Sequence, residues 1–480
     1  MDLATATKPT FDPASFRDPE GQVFEYRGRI YRALSGAARE RLERYADAGH
    51  LAALADTDLL VPSRFAATRD VGLDPAQFGD QVIAHDRLAM VTYPYEWSFE
   101  MLRQAALVTL DLLDWCLDRA LILKDATAYN AALHNGRMTF IDILSIDDYR
   151  EGQLWDGYAQ FCRELLFPLM LTAYKDVDFQ TWFRGSMAGI EARELAGFMT
   201  LRDRLRPGVL KHAILQSWLD RHYAKEDVSV KAMARDAALP IEAIKSNVKG
   251  LRKVIAGMTN RASNSVWKDY TDTHSYTEAE QDTKVRFVTA SLDRAAPRQV
   301  IDLGANTGHY SRIAAQYADL VIAAEADPAC VDVIFKSLSD SPEGARIVPL
   351  VADITNPSPA LGWRLKERRA LPERLSTDFF LALALVHHLC IARNIPLDQF
   401  VESLLACGRA GVVEWVDKSD AMVMRMLRNR TDVFEDYSRE TFEALLERHF
   451  RIAAREETHD GKRCLYHVTA FAADPGHHDA

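Results

Sequence analysis

Arg298-Gln-Val-Ile-Asp-Leu-Gly-Ala-Asn-Thr-Gly-His-Tyr310 is the stretch that decides the fold of the C-terminal half of this 480-residue chain. The β-branched pair Val300–Ile301 precedes an acid, as in a buried parallel strand, and apolar residues recur at helical spacing over 311–318. Between them, Gly304 allows a tight turn and Gly308 removes a Cβ where a ligand would approach the start of the helix. The stretch therefore predicts a strand, a cofactor loop and a helix of an α/β fold.

The two glycines form a Gly-x-x-x-Gly loop, which lacks the three glycines of a dinucleotide fingerprint and the Lys-Ser/Thr pair of a P-loop. A pyrophosphate cradle is thus the weaker interpretation. The pattern resembles that of class I S-adenosylmethionine (SAM) methyltransferases, in which an acid, here Asp302, ends the first strand. In that family the loop passes beside the methionine part of the cofactor, and the fold is Rossmann-like.

Two further strands end in acids in the order that this resemblance requires. The strand 320–324 runs into Glu325, about twenty residues after the first glycine, where doubly wound folds place an acid for the ribose hydroxyls. Asp327 competes for this role, but it lies at a turn and suits the start of a helix. The strand 347–351 is followed by Asp353, to which the resemblance assigns the adenine amino group.

A fourth apolar strand, predicted over 378–389, ends in His387 and His388 at the carboxyl edge of the sheet, where ligands bind in open α/β sheets. Taken singly, such an acid could be a helix cap and such a histidine a core residue. The ordered set within one domain-sized segment favours the SAM interpretation. A further strand is predicted over 410–416, and the closing strands over 450–455 and 462–471 are consistent with the antiparallel final hairpin of the methyltransferase fold.

Composition limits the class of protein and its partners. The length predicts two or three domains, and the net charge of −11 with a sequence pI near 5.7 makes a broad nucleic-acid surface unlikely. No apolar run approaches the ~20 residues of a membrane span, and the N-terminus has no signal-peptide pattern. Six cysteines without a C-x-x-C pair suggest reduced thiols. A cytoplasmic protein without a membrane partner and without a metal site is expected.

The N-terminal part predicts a small sheet and helices. Alternating residues form a hairpin over 22–33 with Arg27–Gly28 at its turn. A helix over 37–54, strands within 60–65 and 81–97, a helix over 98–120 and a second hairpin turn at Asn135–Gly136 follow. Helical patterns continue over 155–261.

The block that follows the helix over 98–120 resembles the catalytic segment of the protein-kinase-like fold. The resemblance places Asp125 at the catalytic-loop acid, and Asn130 and Asp142 at the metal-binding positions. There is no glycine-rich loop, and no lysine occurs between Lys8 and Lys124, although Arg27, Arg29 or Arg32 could supply the cation. A degenerate domain that binds or positions a ligand, such as a nucleotide, is therefore favoured over an active phosphotransferase. The alternative is that the three residues have only a structural role and cap loops.

The domain organisation predicted from these patterns has four parts. They are an arm (1–20), a degenerate kinase-like α+β domain (21–205), a helical connector (206–265) and a methyltransferase domain (266–480). Tyr276 and Lys284 precede the cofactor loop, where class I enzymes commonly fold a lid over SAM, so they are candidate cofactor or substrate contacts; packing is the equal alternative.

Most of the chain resembles the nodulation-type (NoeA-like) SAM methyltransferases, through Tyr93–Ser98, Leu123–Thr127, Val386–Leu389 and Glu414–Lys418. The resemblance implies methyl transfer to a small-molecule or glycan-like acceptor. Methyl transfer is an in-line displacement at a sulfonium, for which the protein aligns donor and acceptor and removes a proton where one must leave.

His387 or His388 is the predicted base, because histidine titrates near neutral pH, and Glu414 is the reserve candidate. The predicted cofactor-binding residues are Tyr276, Lys284, Asp302, Gly304, Asn306, Gly308, Glu325, Asp353 and Ala384. Two alternatives stay open: a bifunctional kinase–methyltransferase that uses ATP and Mg²⁺, and a non-catalytic SAM-binding regulator.

Overall fold

A computed structural model describes residues 8–223, 240–260, 278–339, 341–428, 431–458 and 460–471. The chain divides into two compact units, Met1–Ala262 with Pro359–Ala370, and Ser263–Ser358 with Leu371–Ala480. The sequence prediction placed Pro359–Ala370 in the C-terminal domain. In the structure this segment belongs to the first unit. Tyr276 lies outside the described residues.

The strands of the first unit are β1 (Thr10–Phe11), β2 (Gly21–Tyr26), β3 (Arg29–Leu34), β4 (Ser63–Ala67), β5 (Gln81–His85), β6 (Leu121–Leu123), β7 (Ala131–His134), β8 (Arg137–Phe140) and β9 (Ile146–Asp148). Its helices are α1 (Gly36–Asp47), α2 (His50–Ala55), α3 (Thr68–Val71), α4 (Pro75–Phe78), α5 (Phe99–Leu117), α6 (Tyr158–Phe161), α7 (Phe167–Lys175), α8 (Gln180–Gly185), α9 (Ala192–Phe198), α10 (Leu215–Tyr223) and α11 (Ile241–Ala256).

The second unit contains strands β10 (Gln299–Leu303), β11 (Leu320–Glu325), β12 (Ile347–Val351), β13 (Phe379–Ala382), β14 (Ala410–Val416), β15 (Phe450–Glu457) and β16 (Arg463–Ala470). Its helices are α12 (Glu278–Ala295), α13 (His309–Ala314), α14 (Pro328–Leu338), α15 (Leu371–Arg374), α16 (Leu397–Cys407), α17 (Ala421–Leu427) and α18 (Arg439–His449).

The first unit begins with a five-stranded antiparallel sheet in the order β1-β2-β3-β5-β4. Arg27 and Gly28 form the predicted two-residue turn, with φ of 50° and 73° as a type I′ turn needs. The single helix predicted over 37–54 is wrong, because Gly49 at φ 77° separates α1 from α2. The strand predicted within 81–97 occupies Gln81–His85.

The rest of the first unit is mainly helical, as predicted. Helix α5 begins after Ser98, whose side chain accepts a hydrogen bond from the Met101 N–H, and most of its 19 residues are buried. The turn between β7 and β8 contains Asn135 and Gly136 at positive φ, which agrees with the sequence prediction. Lys245 of α11 pairs with Asp118 at the end of α5, so the last helix of this unit packs on its central one.

The second unit is an α/β sheet in the order β12-β11-β10-β13-β14-β16-β15. Strands β10 to β14 are parallel, and β16 and β15 are antiparallel, as predicted for the final hairpin. Because β11 and β12 lie on one side of β10 and β13 lies on the other, the chain direction through the sheet reverses at β10. A crevice therefore opens beyond the carboxyl ends of β10 and β13, where open α/β sheets bind ligands.

Strand β13 is shorter than predicted and does not reach the histidines. It ends at Ala382, and Ala384 has a φ of 51°, outside the extended region. The Ala384 N–H donates to the Glu414 carboxylate at 2.9 Å, which takes this residue out of the strand ladder. The chain then enters a π-helical turn, His388–Ala392, so the prediction of one strand over 378–389 is wrong beyond Ala382.

No helix within the described ranges is long and apolar enough to cross a membrane. All six cysteines are free, as the spacing in the sequence suggested.

Candidate cofactor and active site

The loop between β10 and α13 is held at the carboxyl edge of the sheet. Asp302, buried near the end of β10, accepts a hydrogen bond from Ser311 Oγ at 2.6 Å, and burial raises the pKa of the Asp302 carboxyl to about 6. The N–H groups of Gly304 and Ala305 donate to the Ala324 carbonyl at 2.9 and 3.1 Å. These hydrogen bonds connect β10 to α13 and the start of the loop to β11.

Gly308 occupies the start of α13 with a φ of 81°, a conformation that favours glycine. A Cβ built at this position would lie 3.0 Å from Ile334 Cγ1. The glycine therefore serves two needs at once, the left-handed backbone and the close approach of α14. Asn306 also has positive φ, at 49°, which asparagine tolerates better than most residues.

Glu325 connects the loop to the end of β11. Its Oε2 accepts from the Asn306 N–H at 2.8 Å and its Oε1 from the Asp327 N–H at 2.9 Å. Burial raises the pKa of Glu325, while these backbone hydrogen bonds oppose the rise. Asp327 instead caps α14 by accepting from the Ala329 N–H at 2.8 Å, so the structure separates the two acids as the sequence suggested.

Asp353 follows β12 and is partly buried. Its Oδ1 accepts from both the N–H and the hydroxyl of Thr355, at 2.9 and 2.6 Å. Arg393 lies on the other side, with Nη2 3.4 Å from Asp353 Oδ2. The acid is therefore oriented by its own turn, and Arg393 is a neighbour that the sequence pattern did not indicate.

A buried network of alternating charges surrounds Glu414 in β14. Glu414 Oε2 lies 2.6 Å from Lys284 Nζ, and Oε1 lies 3.4 Å from Arg463 Nη1. Arg463 Nε in turn lies 2.9 Å from Asp420 Oδ2, just before α17. All four side chains are at most 8% exposed. Each of the two buried cations therefore contacts a buried carboxylate. Such pairing offsets the cost of removing the charges from water.

This network includes one predicted cofactor contact, Lys284, one predicted reserve base, Glu414, and the main-chain N–H of Ala384. Sequence reasoning missed Arg463 and Asp420. Arg463 belongs to the last strand of the sheet, and only the pairing of Arg463 with Val416 across β14 and β16 brings it here. The Lys284 Nζ also lies 5.1 Å from the ring centroid of Tyr310, a third residue of this network that was not predicted.

The two predicted catalytic histidines lie side by side, with ring centroids 4.2 Å apart. His387 is fully buried, and neither of its ring nitrogens has a hydrogen-bond partner. Burial lowers the pKa of His387 well below its usual value, and burial lowers the pKa of His388 to about 4. The expectation that they titrate near neutral pH is therefore wrong, because burial and the nearby Arg463 disfavour the imidazolium form.

In the first unit, the three kinase-like positions also lie close together. Asn130 Nδ2 donates to Ser145 Oγ at 3.0 Å, and Ser145 Oγ donates to Asp142 Oδ2 at 2.6 Å. Partial burial raises the pKa of the Asp125 carboxyl, and the charge of Asp142 adds to this effect. Arg32 of β3 lies 2.8 Å from Asp142 Oδ1, so it is the arginine among the three candidates that reaches this acid.

The crevice of the second unit fits SAM in its donor and acceptor groups. Gly304 and Gly308 leave no side chain beside the loop, and Glu325 keeps acceptor capacity for ribose hydroxyls beyond its two backbone bonds. His387 follows β13 in the chain, and its ring nitrogens have no hydrogen-bond partner. When bound, SAM supplies an electrophilic methyl group on a sulfonium. This strand order, loop and set of strand-end acids match the arrangement that the sequence predicted from its resemblance to class I SAM methyltransferases.

The comparison with known proteins then gives the family. The chain is 35% identical over 474 residues to the nodulation protein NoeA of Rhizobium meliloti (strain 1021), a match that covers 97% of each chain. The chain therefore belongs to the NoeA family of nodulation proteins. No family model matches it.

Solved structures overlap with parts of the chain. The N-methyltransferase NodS of Bradyrhizobium japonicum WM9 is 10% identical, with 40% of this chain and 97% of NodS covered at a TM-score of 0.29. NodS in complex with S-adenosyl-L-homocysteine matches at a TM-score of 0.29, with 12% identity over 44% of this chain and 90% of NodS. The bifunctional kinase-methyltransferase WbdD is 18% identical over 42% of each chain, at a TM-score of 0.30.

Proposed function

We propose that this protein transfers the methyl group of SAM to a small-molecule or glycan-like acceptor. The observation that carries the proposal is the Glu325 carboxylate, which is bound by the Asn306 N–H of the glycine loop where the sheet order reverses. An acid fixed to the loop in this way is oriented before any ligand arrives, so binding does not have to order it. The small-molecule or glycan-like nature of the acceptor is inferred from the nodulation family.

We propose that His387 orients the acceptor through a neutral imidazole. A buried imidazole without a partner can accept a hydrogen bond from the N–H or O–H of an acceptor. Because its pKa is lowered, the imidazole of His387 stays neutral at neutral pH. His387 would therefore align the attacking atom for in-line displacement and accept its proton only as the new bond to the methyl group forms.

Glu414 fits a positioning role better than the role of reserve base. Its two carboxylate oxygens already receive Lys284, Arg463 and the Ala384 N–H. Removing a proton from an acceptor would require giving up part of this network in a buried site. We propose instead that Glu414 holds Lys284 and the Ala384 turn in place at the crevice.

For the first unit we propose a degenerate kinase-like domain that positions a substrate or regulates the enzyme. Phosphoryl transfer needs a carboxylate free to bind Mg²⁺. The Asp142 carboxylate is engaged by Arg32 on one oxygen and by Ser145 on the other. A cytoplasmic location is proposed as well, since six free cysteines suit a reducing compartment.

Methyl transfer can be tested with SAM labelled in its methyl group and fractionated small-molecule and oligosaccharide extracts. The wild-type chain is expected to label one acceptor fraction, and the His387→Ala variant is expected to bind SAM but to label that fraction much more slowly. SAM binding without labelling of any fraction would support the regulator alternative. Saturable, Mg²⁺-dependent ATP binding that is lost in Asp142→Asn would support the bifunctional alternative and contradict the degenerate domain.

A further inference from the structure

A short hairpin loop in the first unit exposes apolar side chains to solvent. Leu361–Arg368, here called the finger, is closed by two main-chain hydrogen bonds between Leu361 and Arg368, at 2.9 and 3.1 Å. Its tip is the short turn Trp363–Leu365. Trp363 and Leu365 are each 65% exposed, although both are large apolar residues.

Contacts around Glu367 hold the tip in this form. Glu367 is buried, its Oε1 accepts from the Trp363 N–H at 2.7 Å, and Arg17 Nε donates to both carboxylate oxygens at 3.1 Å. Phe16, next to Arg17, is 48% exposed. One buried carboxylate therefore joins the finger to a second exposed aromatic residue.

The base of the finger is also fixed. The Arg368 guanidinium lies 4.5 Å from the ring centroid of Tyr129 and 5.8 Å from that of Tyr93. The Tyr93 hydroxyl accepts from the Arg369 N–H at 3.3 Å. With its base fastened between aromatic rings, the finger presents its tip as a defined surface.

The finger is basic, whereas the chain as a whole is acidic. The finger contains three arginine or lysine residues and one acid, Glu367, in a protein of net charge −11. Arg364 and Lys366 are exposed and alternate along the tip with Trp363 and Leu365. Apolar and cationic side chains are thus interleaved on one small surface.

We propose that the finger, together with Phe16, docks the protein on a membrane surface that contains anionic lipids. Tryptophan and leucine insert into the boundary between headgroups and acyl chains, and arginine and lysine pair with anionic headgroups. Single-stranded nucleic acid is a poorer partner, because Leu365 has no ring on which a base can stack, whereas a leucine side chain inserts readily between acyl chains.

This inference goes beyond the proposed methyl transfer and does not depend on it. It revises the prediction from sequence that the protein has no membrane partner. That prediction considered only segments that span the bilayer, and a contact with the membrane surface does not require a spanning segment. A peripheral contact of this kind would hold the enzyme near acceptors carried on lipid.

The test is sedimentation of the full-length protein with vesicles of three parts phosphatidylcholine to one part phosphatidylglycerol, and with vesicles of phosphatidylcholine alone. Binding is expected only to the anionic vesicles, and it should weaken with added salt. Trp363→Ser/Leu365→Ser should lower the partition constant by at least about tenfold, because the inserted apolar surface is lost. Arg364→Glu/Lys366→Glu should lower it by more than about tenfold, because each cation near such a surface contributes about fivefold.

Matched controls use exposed residues elsewhere in the first unit. Leu205→Ser removes a leucine that is 87% exposed, and Arg193→Glu/Arg202→Glu reverses two exposed charges. The leucine control and the finger variants should melt like wild type, and Leu205→Ser should bind vesicles normally. The proposal is overturned if wild type stays in the supernatant with anionic vesicles, if both control variants lose binding as the finger variants do, or if a single-stranded oligonucleotide binds the finger and vesicles do not.

Discussion

Lys284 Nζ lies 2.6 Å from Glu414 Oε2. This buried ion pair joins α12, the helix before β10, to the end of β14. The pair belongs to a longer series, because Glu414 also contacts Arg463 and Arg463 contacts Asp420. The series fixes the carboxyl edge of the sheet from three sides: α12, β14 and the final hairpin. It also holds the Ala384 turn, after which the two histidines follow.

Glu414→Ala should be strongly destabilising, because it leaves Lys284 and Arg463 short of a buried counter-charge. The expected loss in the free energy of unfolding is about 3–5 kcal/mol. The measurement is denaturant unfolding, with Glu402→Ala, an exposed acid of the same unit, as a control that changes stability by less than about 0.5 kcal/mol. The double variant Lys284→Met/Glu414→Met should lose less than the sum of the two single variants. Strict additivity would contradict the ion pair.

Gly308→Ala tests the geometry of the cofactor loop. At a φ of 81°, alanine is strained, and its Cβ would meet Ile334 at 3.0 Å. A loss of about 1–2 kcal/mol in stability and weaker SAM binding are expected. Gly250→Ala is the matched control, because Gly250 lies inside α11 with no atom within 4 Å of the added Cβ. That control should raise helix stability by about 0.5–1 kcal/mol. Equal effects of the two substitutions would argue against the loop geometry.

The acid stability of the first unit should depend on Glu20. Both carboxylate oxygens of Glu20 pair with Arg41, and Lys124 also contacts it, so the hydrogen bonds from Arg41 and Lys124 lower the pKa of Glu20 to about 2. A lowered carboxyl pKa gives stability that is complete above the unfolded value near 4.5 and is lost as the pH falls toward 2. The full shift corresponds to about 3 kcal/mol, and screening by solvent around this partly exposed cluster reduces the contribution to about 1–2 kcal/mol.

Denaturant midpoints measured from pH 7 to pH 2.5 check this prediction. Glu20→Gln should be less stable than wild type at pH 7, and the gap should narrow between pH 4.5 and pH 2.5. Glu151→Gln, an exposed acid of the same unit, is the control and should follow wild type throughout. A gap that stays constant over this range would show that the charge of Glu20 is not responsible.

His387 and His388 should stay neutral across the physiological range. Their pKa values are lowered by burial, so both neutral forms persist as the pH falls from 8 to about 5, and His388 takes up a proton only near pH 4. Ring-proton NMR shifts, assigned with His387→Asn and His388→Asn, measure this directly. A midpoint near 6.5 for either active-site ring would contradict the burial shown by the structure.

The α/β fold of the second unit could be predicted because its parallel strands are continuous apolar runs that end in turn residues. The bounds of β12 and β14 agree with the prediction, and Glu325 and Asp327 separate as the turn chemistry indicated. Local sequence controls such features, since a buried strand and a helix cap are each specified within a few residues.

Other features depend on contacts between distant parts of the chain, and sequence reasoning failed there. The apolar run after Phe379 looks like one long strand, but the Glu414 carboxylate draws the Ala384 N–H out of the ladder. Arg463 joins the site only through the register of β14 with β16. Titration of the histidines was misjudged for the same reason, because a pKa depends on burial that no local pattern encodes.

The most direct test of the account is calorimetric titration of SAM into the wild-type chain, Glu325→Gln and Asp327→Asn. Glu325 joins the loop to the strand, whereas Asp327 only caps α14, a role that asparagine also fills. We predict that wild type and Asp327→Asn bind SAM with similar affinity. Glu325→Gln should bind about 10–100-fold more weakly, since hydrogen bonds to a charged acceptor are lost. If wild type does not bind SAM, or if Glu325→Gln binds it as wild type does, the assignment of the cofactor site is contradicted.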